Sequence, residues 1–86
     1  MWQEKDNKLV RNFTFKNFRD AFVFMSEVAE VAETMDHHPN WSNSYNKVNI
    51  ELTTHSAGNT VTDKDRELAK EIDMIAREQF GISEDK

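Results

Sequence analysis

A long amphipathic stretch that stops at Asp36-His37-His38-Pro39 constrains this chain more than any other feature. From Phe18 the apolar residues recur at helical spacing: Ala21, Phe22, Met25, Val28, Ala29, Ala32 and Met35, with Phe24 and Val31 widening the stripe. At about 100° per residue this arc covers roughly half of a helix circumference. One sheet face absorbs most of such a stripe. The excess width predicts a second contact, with another subunit as its source. Asn17 is placed to cap the helix, and Asp20 suits the positive end of its dipole. Glu27, Glu30 and Glu33 fall outside the apolar arc. Pro39 disfavours helical geometry at His38, so the helix is expected to end near Asp36 or His37.

The flanking segments alternate instead of cycling. Trp2 to Lys5 can extend, and Asp6-Asn7 tolerates the positive φ of a two-residue hairpin turn. Leu9, Phe13 and Phe15 then share one face, with Asn12 and Thr14 on the other and Val10 and Arg11 breaking the pattern. After Pro39, Trp41 to Tyr45 alternates, and Trp41 and Tyr45 read as sheet-packing residues. Asn46-Lys47 is a plausible tight turn. Val48, Ile50 and Leu52 face inward while Asn49, Glu51 and Thr53 face water. By parity Thr53 and His55 lie opposite the Val48 face. Thr54 to Asn59 is a loop in which Gly58 and Asn59 can take unusual backbone angles. Thr62, with Asp65 three residues on, is a helix-start signature. Leu68, Ala69, Ile72, Ile75 and Ala76 line the second helix, Gly81 is placed to end it, and Ser83 to Lys86 reads as a polar tail. The expected fold is a two-layer α+β domain over residues 1–86: a four-stranded antiparallel sheet with two helices on one face, in the order β-β-α-β-β-α.

A chain of 86 residues buries only about 60% of its unfolded surface, so association would help a marginal core. The formal net charge of −5 argues against direct nucleic-acid binding. With no cysteine there is neither a disulfide framework nor thiolate chemistry. No apolar run approaches the roughly 20 residues of a membrane span, and Met1-Trp2-Gln3-Glu4 lacks the build of a signal peptide. The expected location is the cytoplasm.

Chemistry must therefore come from the three histidines. Imidazole titrates near pH 6.5 and can give or take a proton at neutral pH. His37 and His38 are adjacent, so their side chains diverge unless the backbone turns sharply between them. His55 lies one hairpin further on, and the returning strand can bring it to the same edge, giving three imidazoles in one pocket. Glu33, Asp36 and Asp65 could then orient ring N–H groups. Other readings remain open at this point. Histidines at a helix end can cap its last carbonyls. Three histidines can ligate zinc, although adjacent ones suit a single ion poorly. Asp65 has a structural role as the third residue of a capping box. No phosphate-cradling loop or nucleophile elbow is present.

The succession Phe13-Thr14-Phe15, Ala21 to Met25, Val28-Ala29, Ala32-Glu33, His37-His38-Pro39, Trp41, Tyr45 to Val48, Leu52-Thr53-Thr54-His55, Thr62, Asp65 and Leu68-Ala69 resembles the pterin-4a-carbinolamine dehydratases. Vertebrate members of that family are also dimerization cofactors of a homeodomain transcription factor. The likeness runs over nearly the whole chain. Two features depart from it: longer members carry an additional N-terminal helix, and the stretch from His55 to Asp65 is one residue longer here than in the vertebrate form. The resemblance implies a lyase that removes water from 4a-hydroxytetrahydropterin to give quinonoid dihydropterin. That carbinolamine is the by-product of aromatic amino acid hydroxylases, so the activity would serve tetrahydrobiopterin recycling. It implies no metal and no organic cofactor. His37 and His55 would be the principal acid–base pair, with His38 binding substrate and assisting departure of the hydroxyl. Asp36, Pro39, Thr53, Thr54 and Ser56 would supply binding contacts, and Glu33 and Asp65 would orient the imidazoles. The partners implied are a small pterin and further copies of the chain, as a homodimer or homotetramer. A second class of function stays in view: a dimerizing interaction module whose histidines only bind.

Overall fold

The computed structural model describes residues 1–82; the expected polar tail lies outside them. The order is β1 (Gln3–Lys5), β2 (Lys8–Thr14), α1 (Phe18–Met35), β3 (Asn40–Ser44), β4 (Lys47–Leu52), a 3-10 turn at His55–Ala57, and α2 (Asp63–Phe80). The four strands form one antiparallel sheet in the spatial order β1-β2-β4-β3. Both helices pack on one face of it, the expected α+β architecture. The core joins Leu9 and Phe13 of β2 and Val48, Ile50 and Leu52 of β4 to Phe24 and Val28 of α1 and Leu68 and Ile72 of α2. No helix among the described residues is long and apolar enough to cross a membrane.

Local chemistry explains the element boundaries. Asp6 and Asn7 both hold positive φ, 53° and 63°, as the primed turn of a tight hairpin requires. The Asn17 side chain accepts from the Asp20 N–H at 2.8 Å and starts α1. Thr62 and Asp65 form a complete capping box at α2, and Gly81, at φ 68°, ends that helix. At the end of α1, Asp36 adopts the left-handed conformation, φ 54° and ψ 42°. Its N–H reaches the Glu33 carbonyl at 3.1 Å, and the His37 N–H reaches the Ala32 carbonyl at 3.0 Å. This paired closure satisfies the last carbonyls from the backbone. It also sets the direction in which the chain leaves the helix, ahead of both histidines.

Four details differ from the sequence reading. Arg11 does not break the alternation of β2; it points inward and is only 7% exposed. Its Nη1 lies 2.7 Å from Asp73 Oδ1, which also accepts from Trp2 Nε1 at 2.9 Å, and its guanidinium sits 4.3 Å from the centre of the Phe13 ring. The second hairpin turns at Tyr45-Asn46, one residue earlier than expected, because Ser44 pairs with Lys47. Asn43 Nδ2 donates to the carbonyls of Tyr45 and Lys47 and holds that turn. Tyr45 is exposed at its tip, not packed on the sheet, whereas Trp41 packs against the core as expected. The fourth difference is the centre of the α1 stripe. Ala21, Phe24, Val28 and Ala32 are buried, while Phe18 and Phe22 remain 49% and 57% exposed and stack on each other. Two apolar stripes lie side by side on this helix, about 80° apart at 3.6 residues per turn, and the sheet takes the one through Phe24.

Candidate active site

The hollow that gathers the histidines lies where α1 ends and β4 runs out. The left-handed turn at Asp36 sends His37 inward, leaving it 9% exposed, and leaves His38 at the surface. The 3-10 turn after β4 carries His55. Its geometry is closed by Gly58 N–H to His55 carbonyl and Asn59 N–H to Thr54 carbonyl bonds, both 3.0 Å. Gly58 and Asn59 hold φ of 85° and 59°, so the loop uses the two residues that tolerate this conformation. All three imidazoles line one hollow of about 590 Å³.

Each ring meets a different oxygen. His37 Nε2 is 2.6 Å from Asp65 Oδ1. Asp65 is completely buried, and its Oδ2 accepts from the Thr54 hydroxyl at 2.7 Å and the Thr62 N–H at 2.9 Å. Thr62 Oγ1 lies 2.7 Å from Thr54 Oγ1. Since Thr54 gives its proton to the carboxylate, Thr62 donates to Thr54, which completes a chain of donors converging on Asp65. Burial alone would push the Asp65 carboxyl up. The hydrogen bonds from His37, Thr54 and Thr62, with the charge of His37, outweigh it and hold the group below its usual value. An ionised carboxylate can only accept, so His37 carries its proton on Nε2 and presents Nδ1 as the basic nitrogen when neutral. His38 Nε2 pairs with Glu33 Oε1 at 3.0 Å in an exposed contact. His55 Nδ1 lies 2.5 Å from Asn59 Oδ1. None of these ring contacts is with a helix carbonyl; the last carbonyls of α1 are closed by backbone N–H groups instead.

Asp36, Pro39, Thr53, Thr54 and Ser56 line the same hollow as the histidines. Glu33 and Asp65 stand behind His38 and His37. The Thr54 hydroxyl is already engaged by Asp65, so its geometry is that of a support and not of a group awaiting a ligand. Asn40 and Lys64 also line the hollow without having been singled out by the sequence, and Asn59 holds His55. Lys64 had a faint signal: a cation in the first turn of a helix opposes the dipole and asks for another reason to be there. Asn40 had none, because only the β3–β4 register, which pairs it with Glu51, brings it to the site. A second groove of about 610 Å³ runs between α1 and α2 past Glu30, Glu67 and Glu71 and contains no imidazole. Among the described residues no three His, Cys, Asp or Glu side chains are grouped to hold a metal ion.

Residues 1–75 match the family described as pterin 4 alpha carbinolamine dehydratase. The chain belongs to this family. A protein of Synechococcus sp. (strain WH7803), provisionally named as a pterin-4-alpha-carbinolamine dehydratase, is 54% identical over 74 residues, 86% of this chain and 78% of that one. A relative from Afipia carboxidovorans with the same provisional name is 48% identical over 83 residues, 94% of this chain and 81% of its own. The crystal structure of a transcriptional coactivator/pterin dehydratase from Brucella melitensis superposes with a TM-score of 0.83 at 45% identity, covering 87% of this chain and 81% of that one. A pterin dehydratase-like protein identified as a RuBisCO assembly factor in the alpha-carboxysome superposes with a TM-score of 0.71 at 26% identity, covering 88% and 87%. The same fold is therefore shared by a chain described as a coactivator/pterin dehydratase and by one described as an assembly factor.

Proposed function

We propose that this protein dehydrates a 4a-hydroxytetrahydropterin to the quinonoid dihydropterin by histidine acid–base catalysis. The observation that carries the reading is the set of three imidazoles around one hollow, one of them held by a buried carboxylate. The reaction breaks the C4a–O bond, removes a proton from the neighbouring ring nitrogen and forms a C=N bond, with water as the leaving molecule. It needs one group to protonate the departing hydroxyl and one to take the nitrogen proton. His37, with Nε2–H tied to Asp65, offers Nδ1 as the base. His55 supplies the proton to the hydroxyl, and His38, steadied by Glu33, assists it and binds substrate. Asp36, Pro39, Thr53 and Ser56 contact the ring from the walls. General acid–base catalysis contributes typically 10²–10⁴-fold, which sets the scale for the test. Purified protein should hasten loss of the carbinolamine absorbance, and His37→Ala and His55→Ala should each reduce the rate about 10²-fold or more with an unchanged circular dichroism spectrum. Substrate would come from an aromatic amino acid hydroxylase in the same compartment, the cytoplasm.

The assembly factor of similar fold and the exposed Phe18–Phe22 pair favour a second reading, an interaction module. Wild-type protein that leaves the carbinolamine decay unchanged would move the assignment there. Under either reading we infer self-association through the outer stripe of α1.

A further inference from the structure

His55 sits on a loop that closes on itself. The Thr54 N–H reaches the Thr60 carbonyl and the Asn59 N–H reaches the Thr54 carbonyl, both at 3.0 Å. The left-handed backbone of Gly58 and Asn59 makes this closure possible. It folds the Asn59 side chain back to the imidazole, with Oδ1 2.5 Å from Nδ1. An amide oxygen only accepts, so Nδ1 carries a proton whether the ring is neutral or charged. Nε2 is then the nitrogen left for a ligand in the hollow that the ring lines. His37 is arranged the opposite way, with Nε2 engaged by Asp65 and Nδ1 presented. Thr54 serves both arrangements: its backbone closes the Asn59 loop, and its hydroxyl donates to Asp65.

We propose that Asn59 is a positioning residue that holds His55 in the Nδ1–H tautomer and so makes Nε2 the nitrogen that delivers the proton. The inference rests on the acid–base reading above. As the acid, the His55 imidazolium passes its Nε2 proton to the departing hydroxyl. The C4a–O bond breaks, water forms, and the ring is left neutral with its remaining proton on Nδ1. Asn59 already accepts from that tautomer, so the step ends without a ring rotation or a second proton transfer. Both side chains are exposed, and a neutral hydrogen bond between exposed groups adds little to folding stability. The effect of Asn59 therefore falls on the chemistry. The charged and titratable groups around His55 are Asp36, His37 and His38 from the end of α1 and Lys64 from α2. Asp6, Lys8 and Glu51 lie on its other side. Among the described residues only Asn59 is hydrogen-bonded to the ring.

The test compares the wild type with Asn59→Gly, which keeps the left-handed backbone and removes the acceptor, and with Asn59→Asp, which keeps an acceptor at the same place. Asn59→Gly should leave the urea midpoint unchanged and lower kcat about tenfold, the scale of one hydrogen bond, with KM little altered, as for a contact that acts in the transition state. Asn59→Asp should restore the rate. It should also move the alkaline limb of the pH–rate profile to higher pH, since a carboxylate beside Nδ1–H favours the imidazolium. The tautomer is read without substrate, from proton–nitrogen correlation spectra of the neutral ring, with the His55 signals assigned by their loss in His55→Gln. The wild type and Asn59→Asp should show the proton on Nδ1, and Asn59→Gly a mixture. A wild-type ring protonated on Nε2 would overturn the proposal. So would an unchanged kcat in Asn59→Gly, or a rate in Asn59→Asp no better than in Asn59→Gly. The spectra also separate this inference from the one beneath it. The expected tautomers without turnover of carbinolamine would retain the hold of Asn59 on His55 and retire the dehydratase. Equal turnover by all three proteins with no preferred tautomer would do the reverse.

Discussion

Asp65 concentrates the tension between burial and charge in this molecule. It is wholly removed from solvent yet held ionised by the His37 ring, the Thr54 hydroxyl and the Thr62 N–H. One carboxylate thus caps α2 and fixes the tautomer of His37, linking stability to the site. Its pKa is lower in the folded chain than the usual 3.8. The resulting stabilisation is complete above that usual value and is lost as pH falls through the folded one. Replacing Asp65 by Asn should cost about 2–4 kcal/mol at neutral pH, since the charged hydrogen bonds and the buried partner are both lost. Urea denaturation should show the gap between wild type and variant narrowing as pH drops below the usual carboxylate range, where the wild-type group is protonated too. A gap that stayed constant into acid would mean that Asp65 acts only through its shape. Thr54→Val removes one donor from the same carboxylate and should cost about 1–2 kcal/mol.

At the scale of elements, the end of α1 decides where the histidines go. Its last carbonyls are closed by backbone N–H groups of Asp36 and His37, which requires a left-handed residue at position 36. Asp tolerates that conformation better than most residues, and a β-branched side chain tolerates it poorly. Asp36→Val should therefore lower stability by about 1–2 kcal/mol, whereas Asp36→Gly should leave it within about 0.5 kcal/mol of wild type; both are read from the urea midpoint. Equal losses in the two variants would place the importance of Asp36 in its carboxylate instead of its backbone. The same element shows how far local signals reach. Asn17, Pro39, Thr62 with Asp65, and Gly81 mark helix ends by short-range hydrogen bonding and sterics, so those boundaries are readable in the sequence. The meeting of His37, His38 and His55 is readable too, because a helix end and a returning hairpin leave few other arrangements. Asn40 and Lys64 are not, since strand register and the approach of α2 bring them to the hollow. Nor is the inward turn of Arg11: a guanidinium suggests solvent until Asp73, 62 residues away in sequence, is known to meet it. The Tyr45 turn is missed for the converse reason, as an aromatic residue at φ 53° is an unusual choice that Asn43 makes tolerable.

The whole molecule places its two candidate surfaces at opposite ends of one helix. Phe18 and Phe22 stack with ring centres 6.0 Å apart near the start of α1, and the histidine hollow opens at its finish. Fourteen to nineteen residues at 1.5 Å each put roughly 20–30 Å between them. A domain of this size gains little from its own core, and an exposed aromatic pair on a helix flank is the kind of apolar surface that a second copy can cover. Light scattering of the wild type at micromolar concentration should then report a dimer or tetramer. Phe18→Glu together with Phe22→Glu should weaken association at least tenfold, because the charge must be desolvated or the contact abandoned. The distance between the ends allows a sharper expectation. If each chain holds its own three imidazoles, the dissociated variant should turn over carbinolamine at the wild-type rate per chain. A rate that falls in step with dissociation would show that a neighbouring copy completes the hollow. A wild type already monomeric at that concentration would remove the outer stripe of α1 from the account and leave the histidine site standing by itself.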